Sequence, residues 1–496
     1  MRVRGLVGAG CVRAGALAAM MAAAGGCAIE MMTTPAVLEG QPRDYFSASV
    51  APDRIDVPVF VAHARREDPE ATQLDRRFTT DLSRSLHLGR VPVRIGEALP
   101  PEQVLDLSLR EKRERVVRLD ASYDEYVSYG LLGHGSHSHH EGDRFDQQDD
   151  LVRLLTHEKP DTRFGDDAFA HAINDELARR GSTTITLYVH GFNTRFIDNL
   201  CRSGELSHYL GRDGTMISFQ WPSKARVASY FVDKATSRNV LRQLRALLVF
   251  LADRTDATQI DIIGHSAGTL VVMETLRHLS LIYANVPDEE LRERLKIGQV
   301  VLAAPDIGRE EAITAAMDGA ARVTQGLTIY FSQLDNALNL SRFLYGEERL
   351  GFASRLVPLP LEGGELGLHQ MTVDEDLVPD TLDVVLAQHN IHAIDATTAQ
   401  KGFSLSFFGH DYFAHNPYVS SDIILFLKHG NTPAERLLEL RHATRGDAPD
   451  QDGASWYYSF PDDLKTYRQR VPSLAPTPDP PTPAVENDSP DTPSRP

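Results

Sequence analysis

Gln259-Ile260-Asp261-Ile262-Ile263-Gly264-His265-Ser266-Ala267-Gly268-Thr269-Leu270-Val271-Val272-Met273 holds three kinds of chain in succession. Residues 259–263 are short, apolar and β-branched, which suits a parallel strand buried on both faces. From Thr269 to Leu279 the apolar residues recur at helical spacing. Between the two stands Gly-His-Ser-Ala-Gly. Its glycines let backbones pass closely around a strained turn, so the serine hydroxyl is held proud of the sheet edge. The helix that follows offers free N–H groups to an oxyanion. The pentapeptide alone recurs by chance. The strand before it and the helix after it make Ser266 a candidate nucleophile.

Outward from this stretch the chain alternates regularly. Ile185–Val189, Thr215–Gln220, Val300–Ala303, Leu327–Phe331 and Ile391–Ile394 predict strands. Helices are expected from the turn Asn193-Thr194-Arg195 to near Leu210 and over Asn239–Ala252. Such alternation means an α/β fold, a mostly parallel sheet with helices on both faces. Nearer the amino terminus, Asp56–Ala62 predicts a strand, and Arg90–Ile95 an edge strand because of Pro92. Residues 102–128 predict an amphipathic helix and Asp167–Arg180 another. Val419–Lys428 is expected to be the last helix, closing the body.

The organisation that follows is a signal peptide over 1–26, a tether over 27–50, and a region of edge strands and helices over 51–182. The α/β core spans 183–430 and an extension 431–470. Residues 471–496 carry nine prolines and read as a disordered tail.

With a net charge of −18, no nucleic-acid partner is expected, and an anionic membrane surface would repel the body of the protein. Arg2, Arg4 and Arg13 precede the uncharged stretch Ala14 to Ala24, the pattern of a secretory signal. It ends in Ala24-Gly25-Gly26-Cys27, which resembles a bacterial lipobox apart from alanine where leucine is preferred. Cys27 is therefore the expected lipidation site. The expected location is the cell envelope, an outer-membrane lipoprotein facing the periplasm, with a secreted or periplasmic form as the alternative. Besides Cys11 and Cys27 there is only Cys201, so the mature chain has no disulfide framework, and Cys201 reads as a small buried hydrophobe.

An acyl-transfer serine needs a base, an acid that orients the base, and oxyanion donors. His190-Gly191-Phe192-Asn193 follows the strand 185–189 directly, so the N–H groups of Phe192 and Ala267 are the expected oxyanion hole. The base is placed at His410, in Gly409-His410-Asp411-Tyr412-Phe413, after the final strand and before the closing helix. His389, His392 and His415 are its neighbours and rivals. Two acids compete at carboxyl ends of strands: Asp335, after the penultimate strand, is preferred, and Asp306 is the alternative. The acid not used is expected to cap a helix. His134, His137, His139 and His140 form a histidine run, read as a surface loop rich in glycine and serine. No metal or cofactor is expected.

Seven segments together resemble one family: 190–194, Gln220-Trp221-Pro222-Ser223, Tyr230 to Asn239, Gly264 to Gly268, Ala304-Pro305-Asp306, Ser332 to Ser341, and Gly409 to Phe413. They are similar to the bacterial α/β-hydrolase family of unknown function numbered 900, over about residues 183–428 and more loosely at 57–62. Many relatives have alanine first and methionine fourth in the elbow, where this chain has Gly264 and Ala267. The serine and last glycine are kept. The resemblance implies an esterase- or lipase-like serine hydrolase and leaves the substrate open.

The expected function is therefore hydrolysis of a small-molecule or lipid ester through Ser266, Asp335 and His410, on a protein held to the membrane by its lipid. Two alternatives remain: a non-catalytic envelope scaffold, and a serine amidase or peptidase. A metallo-hydrolase built on the histidine run lacks ligands paired on an ordered helix.

Overall fold

A computed structural model of the chain describes residues 29–46, 54–133, 164–224, 236–352, 390–401, 409–443 and 455–474. Its strands, in chain order, are β1 (Ile29–Glu30), β2 (Ile55–Glu67), β3 (Phe78–Ile95), β4 (Arg118–Asp120), β5 (Val127–Leu131), β6 (Thr184–Val189) and β7 (Thr215–Gln220). They continue with β8 (Gln259–His265), β9 (Ile297–Ala303), β10 (Gly326–Phe331), β11 (Ile391–Asp395), β12 (Glu439–Ala443) and β13 (Ser455–Ser459). All join one sheet in the order β1-β4-β3-β2-β7-β6-β8-β9-β10-β11-β13-β12, with β5 paired to β3. From β2 to β13 along that path every pairing is parallel, while both ends are antiparallel.

The central strands are mostly apolar because both faces are covered. On one face pack α2 (Asp166–Arg180), α4 (Leu241–Arg254) and α5 (Gly268–Ile282), burying Phe169, Leu244 and Leu270 among others. On the other lie α1 (Pro101–Ser108), α3 (Phe196–Tyr209) and α9 (Pro417–His429), burying Val104, Leu200 and Ile423. Between α5 and α9 come α6 (Asp288–Leu295), α7 (Arg309–Met317), α8 (Asn336–Tyr345) and the two single-turn helices Thr397–Gln400 and Tyr412–His415; α10 (Leu464–Arg470) follows α9.

The order β7-β6-β8 marks the point where connections change direction: β6 leads outward to β7, whereas β8 leads the other way to β9. A crevice opens beyond the carboxyl ends of strands at such a point. The loops leaving β6 and β8 meet there.

Five expectations change. Residues 29–46 are no tether: Met31, Met32, Val37, Leu38 and Phe46 are buried, each contributing about 1.5–3 kcal/mol as an upper bound. Glu205 in α3 accepts the Met32 N–H at 2.7 Å, and Ser421 in α9 accepts that of Val37 at 3.0 Å. The helix expected over 102–128 stops at Ser108 and gives way to β4 and β5, since Val116 is exposed while Val117 and Leu119 are buried, an alternation that suits a strand. The strand of Pro92 is not at the sheet edge. It pairs with β5 through residues 87–90 and with β4 at 94–95, so Pro92 falls in the gap between them, where its missing N–H costs no ladder bond. Nor does α9 close the body: β12 and β13 extend the sheet beyond β11, and Val471, placed in the tail, is buried. Among the described residues no helix is long and apolar enough to cross a membrane.

Candidate active site

β8 delivers Ser266 at its carboxyl end with φ of 52°, a left-handed conformation that is strained for a residue with a Cβ. Surrounding bonds hold it there. Ser266 donates its N–H to the Ala303 carbonyl at 3.0 Å, and its own carbonyl accepts from Thr269 N–H, Thr269 Oγ1 and Asp306 N–H at 3.0, 2.6 and 3.2 Å. Two glycines permit the packing. A Cβ on Gly268 would lie 2.3 Å from the His190 carbonyl oxygen. One on Gly191 would lie 2.6 Å from Ser266 Cβ and 3.2 Å from its Oγ. The loop after β6 is thus pressed directly against the serine.

That loop is fixed from below by the Trp221 segment. His190 stacks on Trp221 with ring centroids 5.0 Å apart, and Trp221 donates its indole N–H to the His190 carbonyl at 2.8 Å. Burial, with the Arg65 cation nearby, pushes the His190 imidazole down to about 3, so the ring stays neutral. Ser223 Oγ accepts the Asn193 N–H at 2.8 Å, Thr194 Oγ1 donates to the Gly191 carbonyl at 3.1 Å, and Arg65 Nη2 donates to the Thr194 carbonyl at 3.1 Å. Phe192 sits within this braced turn, and Ala267 immediately precedes α5.

The acids separate clearly. Asp335 is fully buried and its Oδ2 lies 2.7 Å from His410 Nδ1, while its Oδ1 accepts the Leu338 N–H at 3.0 Å and so caps α8. Asp306 takes a different set of partners: Ser341 Oγ donates to it at 2.7 Å, and the buried Arg349 approaches it at 3.4 Å. It does not cap a helix, contrary to expectation; buried among Ser341 and Arg349, it is a structural ion pair that also adds negative potential at His410. Of the rival histidines, His392 lies within β11, His415 ends the short helix Tyr412–His415, and His389 is outside the described residues.

Burial alone would lower the His410 imidazole; Asp335, by charge and hydrogen bond, with Asp411 and Asp306, raises it to about 9. Burial raises the Asp335 carboxyl, against the pull of His410. His265, next to the serine, lies with its ring centroid 5.0 Å from that of His410 and 4.6 Å from that of Phe413. Burial, with His410, pushes it down to about 3.

Gln400 has no counterpart among the residues expected from sequence. Its Nε2 donates to the Gly409 carbonyl at 3.0 Å, and its Oε1 accepts from the Ser332 hydroxyl. It ties the acid loop to the base loop. Tyr412 Oη on the Tyr330 carbonyl and Asn416 Nδ2 on the Ala399 carbonyl complete the bracing, at 2.8 and 2.7 Å. Cys201 is buried and unoxidised, its thiol pushed well up by burial. Cys27 and the histidine run 134–140 lie outside the described residues.

The sheet and its helices have the α/β-hydrolase fold, and residues 165–358 match the family described as alpha/beta hydrolase of unknown function, number 900. Six of the seven segments fall within that range, and Gly409 to Phe413 lies beyond it. Among solved structures, the chain is similar to esterase B from Lactobacillus rhamnosis inhibited with a C4-C4 SN3 tributyrin phosphonate. Identity is 16% and the TM-score 0.21, over 34% of this chain and 62% of that one. A second structure of esterase B from that organism matches at 13% identity and a TM-score of 0.23, over 43% of this chain and 65% of that one. This chain thus spans less than two thirds of either structure's length. No curated protein matches the sequence.

Proposed function

We propose that the protein hydrolyses carboxylic esters through an acyl-enzyme on Ser266. The observation that carries this is the buried Asp335 carboxylate 2.7 Å from His410 Nδ1, on loops that end at the same sheet edge as the strained serine. Nδ1 bound to the acid leaves Nε2 of His410 to take the Ser266 proton as Oγ attacks the ester carbonyl carbon. The N–H groups of Phe192 and Ala267 receive the charge that develops on the carbonyl oxygen. Collapse of that intermediate breaks the carbon–alkoxy bond, and His410 returns its proton to the leaving alcohol. Water repeats the sequence on the acyl-enzyme and frees the acid. The test is a chain-length series of p-nitrophenyl esters with wild type and Ser266→Ala. Hydrolysis lost in the variant supports the reading; a rate unchanged by the substitution overturns it.

We further propose that Cys27 is the acylated first residue of the mature chain, anchoring the enzyme in the envelope. The lipobox-like Ala24-Gly25-Gly26-Cys27 after an apolar run supports it. Mass spectrometry of the mature amino terminus decides the matter, and an unmodified terminus at another residue refutes it.

A further inference from the structure

His63 and His87 are a register pair across the β2–β3 ladder, with rings stacked at 4.7 Å between centroids and 9° between planes. Beyond this pair the ladder shifts register at Arg65 and again at Glu67, and such a bulge re-aims the strand. It brings the Glu67 carboxylate back to the two rings. Oε1 lies 3.2 Å from His87 Nδ1 and 3.8 Å from His63 Nε2. The three atoms all fall within 4.8 Å of one another.

His63 makes this more than a charged surface network. It is fully buried, and among the described residues its Nε2 has no hydrogen-bond partner. Its Nδ1 faces the Arg65 carbonyl at 3.2 Å, which puts the ring proton on Nδ1 and the lone pair on Nε2. That lone pair looks toward an anionic oxygen. A buried nitrogen lone pair facing a half-buried carboxylate oxygen is costly unless something positive lies between them.

We propose that His63 Nε2, Glu67 Oε1 and His87 Nδ1 bind a divalent d-block cation of the zinc class. Bonds of about 2.0–2.1 Å in a tetrahedron set ligand atoms roughly 3.3–3.4 Å apart, close to the 3.2 and 3.8 Å separations. Two imidazoles and one carboxylate suit zinc and its neighbours better than calcium or magnesium, which take oxygen. The supporting bonds are those such ligands require. His63 Nδ1 gives its proton to the Arg65 carbonyl, His87 Nε2 lies 3.2 Å from Ser83 Oγ, and Arg77 Nη2 donates to the other Glu67 oxygen at 3.1 Å. Arg65, between His63 and Glu67 in sequence, is the residue that holds the Thr194 carbonyl of the oxyanion loop. The cation would staple β2 to β3 and stiffen the footing of that loop, taking no part in the chemistry. The site departs from the expectation of no metal.

The histidine run 134–140 is a second source of imidazoles in the same chain, so the test must separate the two. Chelator-stripped protein is titrated with zinc sulfate against a chromophoric competitor, and its melting temperature is read with and without zinc. Four proteins are compared: wild type, Glu67→Gln, His87→Ala, and a loop variant combining His134→Ser, His137→Ser, His139→Ser and His140→Ser. Wild type and loop variant should each keep one tight equivalent and melt higher with zinc. Glu67→Gln and His87→Ala should bind at least about tenfold more weakly, the least that even an outer partner of a metal ligand contributes. Glu67→Gln keeps the shape of the side chain, so it remains informative if His87→Ala fails to fold. Tight binding lost with the loop histidines and kept in Glu67→Gln would overturn the proposal. So would a folded wild type that takes up no zinc.

Discussion

The carboxylate of Asp335 serves two partners at once: Oδ2 lies 2.7 Å from His410 Nδ1, and Oδ1 accepts the Leu338 N–H at 3.0 Å. A helix cap and the proposed catalytic acid are therefore the same side chain. Asparagine keeps the capping oxygen but presents an amide or a carbonyl to the imidazole, which favours the wrong tautomer. Asp335→Asn should lower kcat by up to roughly 10⁴-fold while melting close to wild type, because asparagine caps helices as well as aspartate. Steady-state kinetics beside a thermal melt check both halves.

Asp306→Asn should behave in the opposite way. It removes the charge beside the buried Arg349 guanidinium, and breaking a buried pair costs about 3–5 kcal/mol. Denaturant unfolding should show that loss, with activity of the folded fraction largely kept. An inactive but fully stable Asp306 variant would reverse the assignment of the acid.

The site is also expected to favour alkaline conditions. His410 must be neutral to accept the serine proton, and its imidazole is raised to about 9. The value of kcat/KM should therefore climb with pH and level off only near that value. Stability runs the other way. A group raised above its unfolded value of about 6.5 contributes fully below that pH, and the contribution is lost as pH rises through about 9. Asp335→Asn removes the principal raising charge, so it should shift the activity limb toward lower pH. A pH–rate profile of both proteins measures this.

Gln400→Ala should slow turnover without touching substrate. It releases the Gly409 carbonyl and the Ser332 hydroxyl together, loosening the loops that carry the base and the acid. A shift of about 1 Å in such a group costs as much as 10²-fold, and the two unpaired groups about 1–3 kcal/mol of stability each if they stay buried. Kinetics at saturating substrate would reveal the first effect as a fall in kcat with KM nearly unchanged.

The central strands are legible in the sequence because burial on both faces makes each of them a mostly apolar, β-branched run, from Ile185 to Val189 and again from Gln259 to Ile263. Asp335 and His410 are legible by position, since each follows a strand whose order along the chain is clear. What escapes is decided by residues far apart. Met32 and Val37 are buried only because Glu205 and Ser421 wait for their N–H groups, and nothing local signals that. Pro92 shows the same limit from the other side: a proline does mark an unpaired stretch, yet only the positions of β4 and β5 reveal that the stretch is a gap and not an edge. Gln400 is a glutamine in a polar loop until Ser332 and Gly409 are seen beside it. His63 and His87 lie 24 positions apart, and it is the hairpin register that makes them neighbours.

Gly191→Ala tests the oxyanion loop. The added methyl would meet Ser266 Cβ at 2.6 Å, so either the loop or the serine must move. Loss of one oxyanion donor costs about 10²–10³-fold in kcat, and a loss of that size is expected together with a lower melting temperature, since forcing a methyl into a packed site costs about 1–3 kcal/mol.

The most direct measurement is covalent labelling of the purified protein with a fluorophosphonate, with the adduct located by peptide mass spectrometry. The phosphonyl group reports an activated serine whatever the natural ester is. The expected result is one adduct, on Ser266, absent in Ser266→Ala and nearly absent in His410→Ala, because a serine hydroxyl is a poor nucleophile without its base. Folded wild-type protein that takes up no label, or an adduct on any other residue, would contradict the account.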